Sequence, residues 1–126
     1  MNKIATAFLT ALAIAGCASA PSADEVRRAD YGVYPSAYRD AVKTYYGQVL
    51  KDPDSLLIRD YGDPHTFWYG SRFQKARYGY LVCVTYNAKN SYGGYVGYKT
   101  DGLFFHDGVI VDVFQNGLRA DAKSVC

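Results

Sequence analysis

The nine residues Tyr78–Tyr86, YGYLVCVTY, decide the fold. Tyr80, Val82, Val84 and Tyr86 alternate with Leu81, Cys83 and Thr85. A period of two, carried by β-branched and aromatic side chains, is a strand signal, because successive Cβ atoms point to opposite faces of a sheet. Both sets are apolar enough to be partly covered, so neither face of this strand is expected to be fully wet.

Working outward toward the C-terminus, Tyr95–His106 and Val109–Gln115 read as two further strands joined at Asp107-Gly108, a two-residue hairpin signal. That register sets Phe104 opposite Val111, beside Val109 and Val113, and Asp101-Gly102 is expected to be a bulge in a bent strand. Toward the N-terminus, Leu56–Ile58 reads as a short strand with Leu56 and Ile58 on one face. A helix is predicted over Ser36–Lys51. Pro35 suits its start, Tyr38, Ala41, Val42, Tyr45 and Val49 share one face, and Asp52-Pro53 stops it, since the residue before proline is pushed out of the helical region. One helix followed by strands and short turns implies α+β: an N-terminal amphipathic helix packed on a small antiparallel β-sheet, as a single domain over residues 35–126.

The first seventeen residues, MNKIATAFLTALAIAGC, hold one cation, an apolar run from Ile4 to Ile14, and small residues before Cys17. The run is too short to span a bilayer and reads as an export signal, residues 1–16. Ile14-Ala15-Gly16-Cys17 has the form of a bacterial lipobox, in which Cys17 is acylated and becomes the first residue after cleavage. An ordinary signal peptide cut after Ala18 or Ala20 is the alternative. Several acyl chains would hold the protein on a membrane stably, since burial is worth about 0.8 kcal/mol per CH₂ and one chain alone is marginal. Ala18 after the cysteine, rather than Asp, favours the outer membrane, with the domain facing the periplasm. Residues 17–34 then read as the lipidated Cys and a flexible tether, because Ala18–Asp30 is small, polar and mixed in charge with no apolar period.

Removing residues 1–16 of 126 leaves chain for one small domain with a modest core. A formal charge of +2 over the whole chain asks for no nucleic acid. The stretch Asn87–Gly102, NAKNSYGGYVGYKTDG, interleaves Tyr92, Tyr95 and Tyr98 with Gly93, Gly94, Gly97 and Gly102. Asn87, Asn90 and the glycines suit a tight reversal. The plain reading is a hairpin with tyrosines packed over glycines, bent near Gly93-Gly94; the sharper one is a recognition loop offering rings and amides to a glycan or peptide. No GxxxxGK[ST] pattern is present, so this is not a phosphate loop.

The KDPDS motif at Lys51–Ser55, together with NAKNSYGGYVGYK at Asn87–Lys99, resembles a group of small proteobacterial envelope lipoproteins, over about Tyr38–Lys99. The resemblance implies an envelope location and brings no activity with it.

Further along the chain, SRFQKARYGY at Ser71–Tyr80 mixes Arg72, Lys75 and Arg77 with Phe73 and Tyr78. It reads as a solvated loop entering a strand, or as a contact for anionic lipid headgroups or cell-wall polymer. Trp68, in Phe67-Trp68-Tyr69, is a candidate binding aromatic or a core residue. His65 and His106 each lie near an acid but belong to no recognisable nucleophile motif, and most simply are a loop and a turn residue. The three cysteines lack metal-ligand spacing. With Cys17 acylated, Cys83 and Cys126 are expected to pair in an oxidising compartment.

Three functional readings follow. The first is a non-enzymatic, membrane-anchored binding or assembly module, cofactor-free, with an envelope protein or glycan as partner. The second is a glycan-binding or inhibitor-like module working through the Tyr/Gly loop; the possible binding residues of the chain are Trp68, Arg72, Arg77, Asn87, Asn90, Tyr92, Tyr95 and Tyr98. The third is a hydrolase using His65 or His106.

Overall fold

The computed structural model describes residues 19–126. Cys17 and residues 1–16, read above as an export signal, lie outside the described residues. The fold is α+β: a five-stranded antiparallel sheet with a few short helices.

Its axis is a 14-residue strand, β3 (Gln74–Asn87). This is longer at both ends than Tyr78–Tyr86, because two earlier strands pair along one of its edges. β1 (Leu57–Tyr61) pairs with Val84–Asn87, and β2 (His65–Ser71) pairs with Gln74–Leu81. They are halves of one broken strand. Gly62 N–H still donates to the Cys83 carbonyl at 2.8 Å, but Pro64 has no N–H to continue the ladder. The aromatic triplet Phe67-Trp68-Tyr69 lies in β2 with Tyr69 buried, and of the cationic run after it, expected as a loop entering a strand, Arg72 is in the hairpin turn while Lys75 and Arg77 are already in β3. Leu56 caps a 3₁₀ turn (Pro53–Ser55) instead of opening a strand.

On the other edge of β3 lies β4 (Lys99–His106), then β5 (Val109–Phe114). β4 begins at Lys99, not Tyr95. Asp107 and Gly108 both have positive φ, 50° and 76°, as the two-residue turn requires. The pairing Phe104 with Val111 does not occur. His106 faces Val109 and Phe105 faces Ile110, but Phe104 faces Asp112, so Val111 is the extra residue of a bulge. The bulge expected at Asp101-Gly102 is absent there, since both residues pair in unbroken register with Val84 and Cys83.

Helix α1 (Ala23–Arg28) lies in the stretch read as tether. Ser22 and Glu25 form a reciprocal capping box, a local signal that outweighs the missing apolar period. Past it, Tyr31 and Tyr34 pack edge-on against Tyr78 and Tyr80, and Val33 N–H donates to Asp107. Helix α2 (Tyr38–Val49) buries Tyr38, Val42 and Tyr46 against Val82, Val84, Tyr86, Leu103 and Phe105. Its buried stripe is centred on 38, 42 and 46; Val49, placed on that face by periodicity, is exposed. On the opposite face Tyr69, Leu81, Phe104 and Phe114 cluster with Phe67, Cys83 and Val125. Cys83 and Cys126 are joined by a disulfide, Cα–Cα 5.8 Å.

Candidate functional site

The candidate residues divide between the two ends of β3. Asn87, Asn90, Tyr92, Tyr95 and Tyr98 follow its C-terminal end; Trp68, Arg72 and Arg77 flank its N-terminal end.

The loop 88–98 is built from its amides. Asn87 is buried, and its Oδ1 accepts from Gly97 N–H at 3.1 Å. Asn90 Oδ1 accepts from Tyr92 N–H and Gly94 N–H at 3.0 and 3.2 Å, and its main chain closes a turn on Gly93 and Gly94. Lys89 and Tyr95 form a single antiparallel bridge. Gly93 and Gly97 adopt φ of 80° and 101°, where a side chain is disfavoured, whereas Gly94 does not. The side-chain oxygens of both asparagines thus serve the loop's own backbone. Through these oxygens they position the backbone that carries the tyrosines.

Ser55 links the loop to the segment before β1. Its hydroxyl donates to the Asp52 carbonyl at 2.7 Å and accepts from Lys89 N–H at 2.8 Å. Ser55 of KDPDS and Lys89 of NAKN therefore meet across 34 residues of sequence, and each motif braces the other.

The tyrosines are not packed over the glycines. Tyr92 is 97% exposed, Tyr95 46% and Tyr98 42%, with Val96 and Leu57 also exposed. A bulge between Ile58 and Asp60 turns out Arg59, whose guanidinium lies 3.5 Å above the Tyr98 ring, and Lys89 Nζ lies 5.5 Å from the Tyr95 ring. The result is three exposed rings, two of them each beside a cation, on a hydrogen-bonded backbone. Sequence reading omitted Arg59, Lys89 and Ser55. Only the spacing of the tyrosines could have signalled the site, since Arg59 and Ser55 arrive from more than thirty positions away.

At the other end, Arg77 is structural: it donates to Tyr69 Oη at 2.8 Å and lies 3.7 Å from Asp112. Burial, and then the hydrogen bond to Asp112, push the Tyr69 phenol up to about 12. Trp68 is half-buried and Arg72 is exposed at the β2–β3 turn.

The histidines are held by main chain. His65, in β2, donates from Nδ1 to the Asp63 carbonyl at 3.3 Å, and His106, ending β4, donates from Nδ1 to the Tyr78 carbonyl at 2.9 Å. They border β3 on opposite sides, so they form no pair. Among the described residues no group of three His, Cys, Asp or Glu side chains comes together as a metal site, and no helix is long and apolar enough to cross a membrane. No protein-family model, curated protein or solved structure matches this chain.

Proposed function

We propose that the protein is a lipid-anchored binding module of the bacterial envelope, acylated at Cys17 on the periplasmic side of the outer membrane, and that it works without catalysis. Its binding face is the Tyr92, Tyr95 and Tyr98 surface, and its ligand is an envelope glycan. The observation that carries this reading is that three exposed phenol rings stand on a backbone already locked by Asn87 and Asn90. Little ordering entropy is then lost when a partner arrives. Flat aromatic faces suit the apolar faces of sugar rings, and Arg59 and Lys89 suit carboxylate groups on such a polymer.

The test is cosedimentation of the purified protein with cell-wall sacculi. The triple variant Tyr92→Ser, Tyr95→Ser, Tyr98→Ser is expected to keep its thermal midpoint and lose binding. Equal sedimentation of variant and parent overturns the site. Replacing Cys17 with Ser tests the anchor separately: the protein should leave the membrane fraction or remain unprocessed.

A further inference from the structure

The N-terminal end of β3 carries a surface that the glycan reading does not use. The β2–β3 turn, Ser71 to Gln74, projects Phe73 at 86% exposure, with exposed Arg72 and Lys75 on either side. Beside it is a hollow of about 290 Å³ lined by Ser19, Pro21, Trp68, Arg72, Arg119 and Lys123 among others, three cations and no acid. Asp121 lies just outside this lining, 3.3 Å from Arg119 and 3.7 Å from Lys123, and offsets part of that charge. Arg72 and Lys75 take part in no ion pair among the described residues.

Ser19 is two residues from Cys17. Two residues of chain reach at most about 7 Å. Wherever the acyl chains of Cys17 enter a bilayer, the hollow and the turn beside it must lie against that bilayer's surface. The side chains there are what such a surface selects: an indole at headgroup depth, a protruding apolar ring, and cations for anionic headgroups.

We propose that this end of the domain is a membrane-docking surface, with Phe73 and Trp68 set into an anionic phospholipid leaflet and Arg72 and Lys75 on its phosphates. The proposal rests on the lipid anchor at Cys17. It adds an orientation to tethering: β3 stands away from the leaflet and holds the tyrosine surface roughly 40 Å out, at about 3.3 Å per residue.

Trp68 is the chain's single tryptophan and reports the contact directly. The lipidated protein is reconstituted in phosphatidylcholine vesicles with and without phosphatidylglycerol, and Trp68 emission is quenched with acyl-brominated lipid or with aqueous iodide. In anionic vesicles Trp68 should be quenched by brominated lipid and protected from iodide. Each of Arg72→Glu and Lys75→Glu should lower the docked-to-undocked ratio about fivefold or more, and Phe73→Ser should lower it as well. These exposed positions leave folding intact, which circular dichroism checks. Trp68 equally open to iodide with and without vesicles overturns the docking surface. Flotation with the vesicles and the mass of Cys17 report the anchor independently. If Cys17 proves unmodified, the same quenching measured on added vesicles still decides the surface.

Discussion

The two faces of the sheet are closed by different means. One is covered by α2, which lays Tyr38, Val42 and Tyr46 over Val82, Val84, Leu103 and Phe105, and Tyr46 Oη reaches the buried Asp101 at 3.1 Å. The other is covered by no α-helix among the described residues. Phe67, Tyr69, Phe104 and Phe114 pack edge to face on Leu81, and the segment after β5 folds back so that Val125 N–H donates to the Gly117 carbonyl at 2.8 Å and Cys126 is bonded to Cys83. The difference teaches a lesson about size. A domain this short has one amphipathic helix to spend, so its second apolar face is sealed by aromatic rings and a covalent cross-link.

The largest effect should come from alkali, and it weighs most on the helix-covered face. Burial, followed by the nearby Asp101, raises the phenols of Tyr46 and Tyr86 far above their ordinary value, and Tyr69 on the opposite face rises to about 12. Each folded-state value exceeds the unfolded value of 10.0, so the stability these groups give is complete below pH 10 and is lost as pH climbs through 12 and beyond. Circular dichroism and tyrosinate absorbance should therefore change together above pH 10; ionisation of all tyrosines without unfolding would contradict the burial.

Removing the disulfide comes next. Its partners are 43 residues apart, and a closed loop of that length is worth about 4 kcal/mol in the chain-entropy account. Cys83→Ser with Cys126→Ser should lower urea stability by about that amount. Amide exchange should speed up at Tyr69, Leu81 and Phe104 while Val82 and Val84 remain protected. Equal loosening on both faces would show that they do not act as separate covers.

A smaller loss is expected from Gly79→Ala. A Cβ there would collide with the Phe105 carbonyl oxygen and lie 2.6 Å from the Phe104 ring, so the β4 backbone must shift and the aromatic cover lift. About 3 kcal/mol should be lost in urea unfolding, and Gly79→Ala with Phe104→Leu should recover part of it. The smallest effect separates two adjacent glycines of the tyrosine loop. Gly93→Ala should cost about 1 kcal/mol for its positive φ. Gly94→Ala should cost almost nothing, since only Asn90 Oδ1, at 3.9 Å, comes near.

How much could be read in advance follows the range of each interaction. The alternation of Tyr80 to Tyr86 is local, and the strand and its two covered faces were legible from it, as the turn was from the Asp107-Gly108 pair. The Cys83–Cys126 bond was legible because two cysteines remained once Cys17 was set aside. β2 was hidden because the residues that follow it carry Arg72 in the turn and Lys75 at the start of β3, and a cationic run resembles a solvated loop. The bulge at Val111 escaped because turn chemistry fixes only the pairs next to the turn. The buried stripe of α2 is centred on Tyr46 rather than Val49 because Tyr46 meets Asp101, a partner 55 residues away. At the site the exposed tyrosines were visible as a pattern, but whether Asn87 and Asn90 face outward or serve the backbone depends on the fold around them.

The extra residue at Val111 also matters for molecules held side by side. β5 is an outer strand, and Val109-Ile110-Val111 would otherwise present a straight, β-branched ladder to any neighbour. With two residues set against one, the unpaired N–H and C=O groups fall out of step and the strand twists, so a second copy cannot extend the sheet in register. Asp112, directly after the bulge, is bound by Tyr69 Oη at 2.6 Å and keeps a charged group at that edge. At high local concentration of the chain, this single inserted residue is a safeguard against growing into fibres.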